Sequence, residues 1–252
     1  MPDKSRKTKS VVHLIENEQP LLFLDFPFPD YILQHSSPMS EIRFENISVT
    51  FNDSYLLQNL DFTVERGDKV LIYGESGIGK TTVFRLLLGF EQPTAGSIYV
   101  GNKKLDACSA WDLRKNVAYV SQDLDIGSGP VLHVIRAILS FKVNSSIIVD
   151  EVIIEKYLKF FRMKSSILHE PYEKLSGGEK QRIAIVIALL LERSIFFLDE
   201  VTSSLDEELK EKVIRHFTQN NDWTVLSISH DRDWLNAPGM KVVPLPRKNA
   251  DA

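Results

Sequence analysis

The residues Gly74–Thr81, GESGIGKT, have the types and spacing needed to bind a chain of phosphate groups. They fit G-x-x-x-x-G-K-[ST], in which the backbone N–H groups of a glycine-rich loop surround phosphate oxygens. Lys80 would neutralise the outer phosphates, and the hydroxyl of Thr81 would be a ligand for Mg²⁺. The candidate phosphate-binding residues are Gly74, Glu75, Ser76, Gly77, Ile78, Gly79, Lys80, Thr81 and Thr82.

The segments on either side of this loop provide the context that it requires. Lys69–Tyr73 is apolar and β-prone, as a buried strand is, and Thr82–Leu88 has the pattern of a helix ended by Gly89. A helix that begins at the loop adds the positive end of its dipole to the phosphate site. The alternative is a glycine turn with a surface lysine, and the strand, loop, helix order argues against it.

A second predicted strand ends in two carboxylates. Ser194–Leu198 is a continuous apolar run, typical of a central parallel strand, and Asp199 and Glu200 follow it. Open α/β sheets bind ligands at the carboxyl ends of their strands. We expect Asp199 to hold Mg²⁺ through water and Glu200 to deprotonate the attacking water as a general base. A solvated acidic turn is the alternative, and the phosphate loop argues against it.

Two more predicted strands end at polar residues. Thr224–Ser229 precedes His230, and Val117–Ser121 precedes Gln122. We expect His230 to donate a hydrogen bond to the terminal phosphate. The amide of Gln122 would reach Mg²⁺ or the attacking water. Neither residue type is informative alone, so the position at a strand end carries both predictions.

Together these motifs resemble the nucleotide-binding domain of ATP-binding-cassette (ABC) proteins over roughly residues 41–243. The most specific segment is Leu175–Arg182, LSGGEKQR, which is similar to the family signature, and Ser203–Asp206 matches a further family loop. The resemblance implies an α/β fold: a P-loop NTPase cassette with a RecA-like parallel sheet core, an antiparallel β subdomain and a helical signature subdomain.

The resemblance also implies a mechanism. Two cassettes would pair head to tail as a homodimer around two ATP molecules, with Mg²⁺ at each site, and Asp206 would cross the interface. The adenine ring would stack on Phe51, with Tyr55 as the second choice. The signature residues that would contact the γ-phosphate in the opposite subunit are Ser176, Gly177 and Gly178. The catalytic assignments are Glu200, His230, Gln122 and Lys80, and the metal assignments are Thr81, Gln122 and Asp199.

The chain departs from common family members at three places. Val186-Ile187 stands where many members have alanine-arginine, Arg193 where proline is common, and Val201 where proline or alanine is frequent. No departure removes a group that would touch ATP, Mg²⁺ or water. We therefore predict a competent ATPase.

The predicted organisation is an N-terminal extension at 1–40, an ABC ATP-binding domain at 41–246 and a tail at 247–252. A helical subdomain lies at about 125–180. Within the domain, 41–52 and Leu60–Glu65 are predicted antiparallel strands, and Val131–Phe141 and Val149–Phe161 are predicted helices. The apolar segment Leu21–Pro29 would pack on the fold or serve as an anchor.

Composition narrows the functional classes. The 252 residues carry a net charge of −4, so the chain lacks the positive charge typical of a nucleic-acid-binding protein. The single cysteine favours a reducing compartment. The longest apolar run, Ile183–Leu191, is too short to span a membrane. We expect a cytoplasmic protein held at the inner face of the cell membrane by a permease.

The resemblance therefore predicts the ATP-hydrolysing motor of an ABC transporter, driving a separate membrane permease. The permease would dock near Gln122–Val131, for which an ordinary loop and core helix is the alternative. Weaker similarity of Leu168–Arg182 and Asp199–Asp206 to bacterial iron-export ATPases favours export, with a metal such as iron as cargo. The competing function is a soluble ATP-dependent clamp or regulator without a permease.

Overall fold

The computed structural model describes residues 42–52 and 54–245. The predicted extension at 1–40, with its apolar segment Leu21–Pro29, and the tail at 247–252 lie outside the described residues. No helix in the described part is both long and apolar enough to cross a membrane.

The strands form two sheets. The strands are β1 Ile42–Phe51, β2 Ser54–Val64, β3 Lys69–Tyr73, β4 Ala95–Val100, β5 Lys103–Lys104, β6 Val117–Val120, β7 Ile195–Asp199, β8 Thr224–Ile228 and β9 Met240–Pro244. The four-stranded antiparallel sheet has the order β2-β1-β4-β5, and the five-stranded parallel sheet has the order β6-β7-β8-β3-β9. The α/β fold class predicted from the motifs is confirmed.

The helices connect and cover the parallel strands. The α-helices are α1 Lys80–Leu87, α2 Ala107–Asn116, α3 Val131–Leu139, α4 Glu151–Phe160, α5 Gly177–Leu190, α6 Glu207–Gln219 and α7 Arg232–Leu235. Short 3-10 turns lie at Lys142–Asn144, Ser165–His169 and Tyr172–Lys174. Because β3, β6, β7 and β8 are paired in parallel, their carboxyl ends lie at one edge of the sheet.

The parallel sheet is covered on both faces, which explains its continuous apolar strands. Val70 and Ile72 of β3 pack with β1, β2 and α1, whereas Leu71 between them packs with the opposite layer, which contains α3, α4, α5 and α6. In β7, Phe197 packs on the same side as Val70 and Ile72, and Phe196 packs on the same side as Leu71. Because successive side chains of a strand point to opposite faces, every position of such a strand is buried.

Several predicted boundaries were wrong. The helices predicted at Val131–Phe141 and Val149–Phe161 span Val131–Leu139 and Glu151–Phe160. Strand β2 begins at Ser54, not Leu60, because it continues through register irregularities against β1. Asn46 and Asn59, with φ of 51° and 47°, fall at these irregularities, and their polar side chains hide the strand period. Helix α1 begins at Lys80, not Thr82, since left-handed Gly79 is its first flanking residue.

The departures from the family pattern have structural reasons. Val186 and Ile187 are fully buried in α5, where an arginine would place a charge in the core. Arg193, just before β7, donates to the Asn144 side chain, which in turn donates to the Ile138 carbonyl at 2.9 Å. Arg193 therefore ties the end of α3 to the start of β7. Val201 is fully buried after Glu200.

Candidate functional site

A cleft of about 480 Å³ lies at the carboxyl edge of the parallel sheet. It brings together most of the residues that the motifs singled out. The predicted residues that line it are Ser76, Gly77, Gly79, Lys80, Thr81, Thr82, Gln122, Asp199, Glu200 and His230. It is also lined by Leu56, Ser203 and Ile228. Sequence reasoning gave Leu56 and Ile228 no role, because an apolar strand residue carries no signal of a cleft.

The glycines of the phosphate loop meet two different requirements, one for backbone conformation and one for space. Gly77 and Gly79 have φ of 74° and 105°, in the left-handed region that glycine favours. A Cβ on Gly79 would also lie 3.0 Å from Leu57 Cδ2. Gly74 has no such φ; its Cβ would come within 3.1 Å of Ile78 Cγ2. The loop thus turns freely at Gly77 and Gly79 and needs only space at Gly74.

The ammonium group of Lys80 lies across its own loop. Its Nζ donates to the carbonyls of Gly74 and Glu75 at 2.9 Å each and lies 3.0 Å from His230 Nε2. Burial lowers the pKa of Lys80, and the carboxylates of Glu200 and Asp199 oppose that change. The two loop carbonyls hold the Lys80 ammonium group at the N-terminus of α1, where a phosphate chain would lie.

Thr81 and Asp199 form a pair suited to Mg²⁺. Thr81 Oγ1 donates to Asp199 Oδ2 at 2.9 Å, and the other carboxylate oxygen, Oδ1, is buried without a hydrogen bond. Burial, strengthened by the nearby charge of Glu200, raises the pKa of Asp199 to about 6. A buried acceptor beside a hydroxyl fits a hard cation with oxygen ligands. Among the described residues no three His, Cys, Asp or Glu side chains form a metal cluster, so phosphate and water would complete the shell.

Glu200 is held in an uncommon backbone conformation. Its φ is 53°, its N–H donates to Ile228 O at 2.9 Å, and Ser203 Oγ donates to its carbonyl at 2.8 Å. Its Oε1 lies 3.2 Å from His230 Nε2, which therefore sits between the Lys80 cation and the Glu200 carboxylate. Left-handed residues other than glycine cluster at functional sites. The positive φ of Glu200 could not be predicted from the sequence, because glutamate has no preference for this conformation.

The signature residues lie outside this cleft. Ser176 begins α5 and forms a reciprocal cap: its Oγ accepts from Glu179 N at 3.3 Å and donates to Glu179 Oε2 at 2.6 Å, while its own N–H donates to Oε2 at 2.9 Å. A Cβ on Gly178 would lie 3.0 Å from the carbonyl of Ser204. The signature therefore packs beside the Ser203–Asp206 loop, in which Asp206 caps α6 through Leu209 N at 2.9 Å.

The two candidates for adenine stacking lie on the β1–β2 hairpin. Phe51 and Tyr55 expose 69% and 52% of their surface and do not line the cleft, whereas Leu56 does. Large aromatic side chains with so much exposure are available to a ligand, and neither is preferred by the geometry of the described residues.

The segment after Gln122 is tied to the lead into the signature. Tyr172 Oη donates to Leu124 O at 2.6 Å, and Tyr172 N donates to Gly129 O at 2.8 Å. Gly129 N donates to Glu173 Oε2 at 2.9 Å, and Val131 N donates to Glu170 O at 3.0 Å. These hydrogen bonds join the predicted docking segment Gln122–Val131 to residues 170–173, which lead into the signature. We call this set of hydrogen bonds the strap.

Residues 57–203 match the family model described as ABC transporter. The chain is 34% identical over 202 residues to the energy-coupling factor transporter ATP-binding protein EcfA1 of Listeria monocytogenes, covering 77% of this chain and 71% of that protein. It is 29% identical over 207 residues to the probable iron export ATP-binding protein FetA of Escherichia coli, covering 81% and 90%.

Solved structures agree with these relatives. The dimeric structure of MJ0796, a bacterial ABC transporter cassette, has a TM-score of 0.69 and 25% identity, covering 82% of this chain and 97% of that one. A family match over more than half of the chain, together with a relative above 30% identity, establishes membership. The chain belongs to the ABC transporter family and is an ATP-binding-cassette ATPase.

Proposed function

We propose that the chain is the ATP-hydrolysing motor subunit of a transporter, which pairs with a second cassette around two ATP molecules and drives a separate membrane permease. One observation carries the proposal: the site is divided. Lys80, Asp199 and Glu200 line one cleft, whereas Ser176 and Gly177 lie exposed at the start of a 14-residue buried helix outside it. A second copy placed head to tail would join the two halves.

Within the cleft each side chain has a task that its contacts support. Thr81 and Asp199 would hold Mg²⁺, which supplies charge neutralisation on the phosphate oxygens. Lys80 would exchange the carbonyls of Gly74 and Glu75 for phosphate oxygens. Glu200 would accept the proton of the attacking water, and the Gln122 amide would orient that water. His230 would donate to the γ-phosphate from a position already beside Lys80.

The opposite half of the site would act through Ser176, Gly177 and Gly178. The hydroxyl of Ser176 donates to Glu179 Oε2 in the single chain, so contact with a γ-phosphate requires it to rotate away. The α5 N-terminus then places its dipole on the same anion. Because both subunits would grip the γ-phosphate, its loss favours the open dimer, as expected for a ligand that prefers one state.

A permease would contact the segment Gln122–Val131, where the strap to Glu170–Leu175 would pass a displacement to the signature. For the cargo, the name of FetA supports the predicted export of iron. The chain is also 34% identical over 197 residues to the Fe(3+) ions import ATP-binding protein FbpC of Brucella abortus. We therefore propose iron as the first cargo to test, in both directions.

Affinity purification of the Glu200→Gln protein with Mg-ATP, from gently solubilised membranes, tests the proposal. We expect a homodimer that carries a membrane protein with several spans. The same purification with Lys80→Ala is the control, because weakened ATP binding should release the second cassette. Recovery of a homodimer with only soluble partners would contradict the permease and support the clamp or regulator instead.

A further inference from the structure

We propose that Lys210 is a positioning residue for ATP hydrolysis: from α6 it fixes the segment that carries His230 and so sets His230 against Glu200 and Lys80. The inference rests on the proposed role of His230. Lys210 does not line the nucleotide cleft and belongs to none of the motifs that the sequence singled out.

Lys210 lies among three carboxylates, of which Asp231 is largely shielded from water while Asp233 and Glu207 are exposed. Its Nζ lies 2.8 Å from Asp231 Oδ2, 3.0 Å from Glu207 Oε2 and 3.8 Å from Asp233 Oδ2. The side chains of Lys210 and Asp231 are only 17% and 18% exposed. An ion pair screened from water in this way is stronger than an exposed surface pair. Hydrogen bonds to Asp231 and Glu207 also raise the pKa of Lys210, so it stays charged.

The position of Asp231 determines that of His230, its neighbour in the chain. Asp231 N donates to Ser229 Oγ at 3.0 Å, and Asp231 Oδ1 accepts from Asp233 N at 3.1 Å to cap α7. The imidazole of His230 is itself 48% exposed. Besides its contacts with Lys80 and Glu200, this half-exposed ring takes its position from the backbone that Asp231 anchors.

The other end of the pair belongs to α6, the helix that follows the loop after Glu200. Lys210 N donates to Asp206 O at 2.8 Å in the first turn of α6, which Asp206 begins. Trp234 Nε1 donates to Thr202 Oγ1 at 3.2 Å and forms a second link between the two loops. Lys210 therefore joins the loop after β7, with Glu200, to the loop after β8, with His230.

Removal of the ammonium group would leave Asp231, the least exposed of the three carboxylates, without its cation. Asp231, Asp233 and Glu207 would repel, and Asp231 would move away from α6, because its burial makes an unpaired charge costly. His230 would move with it, out of reach of Glu200 Oε1 and of a bound γ-phosphate. The binding of ATP, which depends on the phosphate loop, would be little changed.

The test compares variants of the full chain in steady-state ATP hydrolysis and in thermal melting. Lys210→Met should lower kcat roughly tenfold, with KM for ATP within about twofold, because a displaced group acts on the transition state more than on binding. Lys210→Arg should recover most of kcat. Adding Asp231→Asn to Lys210→Met should recover part of it, since asparagine still caps α7 without the repelled charge. Arg215→Met, which removes an exposed cation from α6, is the matched control.

A second readout does not depend on hydrolysis. In nucleotide-free protein, the His230 ring resonances, assigned with a His230→Gln variant, should shift in Lys210→Met and not in Arg215→Met. The inference is overturned if kcat of Lys210→Met equals that of the control with unshifted resonances, or if Lys210→Arg recovers nothing. Failure of the proposed function is separate: it would appear as purification of Glu200→Gln with only soluble partners.

Discussion

Glu200 is placed by backbone conformation as much as by side-chain contacts. A left-handed glutamate costs about 1–2 kcal/mol, and the hydrogen bonds to Ile228 O and from Ser203 Oγ hold it there. The turn directs the carboxylate back over the end of β8, where His230 N lies 3.4 Å from Oε2. In the proposed mechanism, this carboxylate would lie beside the water that attacks the γ-phosphate.

We predict that Glu200→Gln lowers kcat by about a hundredfold or more, the usual effect of losing a positioned general base. Affinity for ATP should be retained, since Lys80 and Thr81 are unchanged. Phosphate release and nucleotide binding measure the two effects. The control is Glu208→Gln, which neutralises an exposed carboxylate that pairs with Arg162. A rate near that of the unmodified protein would rule out Glu200 as the base.

Asp199 gives a prediction about pH. Its pKa is raised by burial to about 6 in the folded protein, so ionisation is harder in the folded chain than in the unfolded one. Its favourable contribution is complete below the ordinary aspartate pKa and is lost as pH rises through about 6. Without nucleotide or Mg²⁺, Asp199→Asn should therefore stabilise the protein by about 1–3 kcal/mol at neutral pH.

Denaturant unfolding at pH 4.5 and 7.5 measures this difference. The gain from Asp199→Asn should shrink at the lower pH, because at pH 4.5 the carboxyl is protonated in the folded state and no longer buries a charge. Asp112→Asn, at an exposed position of α2, serves as the control and should show no comparable gain. An equal gain at both values of pH would show that the charge of Asp199 is not its cause.

At the scale of elements, the β1–β2 hairpin carries the predicted adenine-stacking residues, which, like the signature, lie apart from the cleft. Phe51 pairs with Ser54 and Thr50 with Tyr55 next to the turn, so both aromatic residues are at the turn end of the hairpin. Among the described residues of the hairpin, Leu56 is the one that lines the cleft. Stacking of a base would extend the site along this edge.

We predict that Phe51→Ala weakens ATP binding by about fivefold or more, because base stacking contributes ~1–3 kcal/mol. Binding of inorganic tripolyphosphate, which has no base, should be unchanged. Titration of both ligands, with Tyr55→Ala in parallel, separates the two aromatic residues. An effect of Tyr55→Ala alone would assign the stack to Tyr55, and equal losses for both ligands would exclude stacking.

At the scale of the whole molecule, the two halves of the site lie on different layers. The cleft is at the edge of the parallel sheet, whereas the signature begins α5, which is buried from Ile183 to Leu191 among α3, α4 and α6. A rigid buried helix cannot bring its own N-terminus to the cleft without unpacking the core. In the proposed dimer, a second copy would complete the site without that cost.

This division predicts complementation between inactive variants. Lys80→Ala spoils the cleft and Ser176→Arg spoils the signature, so each alone should hydrolyse little. A mixture should regain activity, because each mixed dimer has one site with both halves intact. Lys80→Ala mixed with Asp199→Asn is the control and should regain none, since both changes spoil the cleft. Steady-state hydrolysis measures each mixture, and equal activity in the two mixtures would exclude a shared site.

The sequence alone was sufficient for the class of fold and for most cleft residues. Both depend on local features: the spacing of Gly74–Thr81 follows from the shape of a phosphate chain, and the runs Lys69–Tyr73 and Ser194–Leu198 follow from strands covered on both faces. Asp199, His230 and Gln122 could be placed because parallel strands end at one edge of the sheet.

Tertiary structure alone decided the contacts between distant segments. His230 meets Lys80 across 150 positions, Thr81 meets Asp199 across 118, and Lys210 meets Asp231 through packing of α6 beside α7. The positive φ of Glu200 and the early start of β2 also became visible only in three dimensions. Such features depend on how neighbouring layers pack and on which backbone groups they satisfy, and no single segment of the chain carries that information.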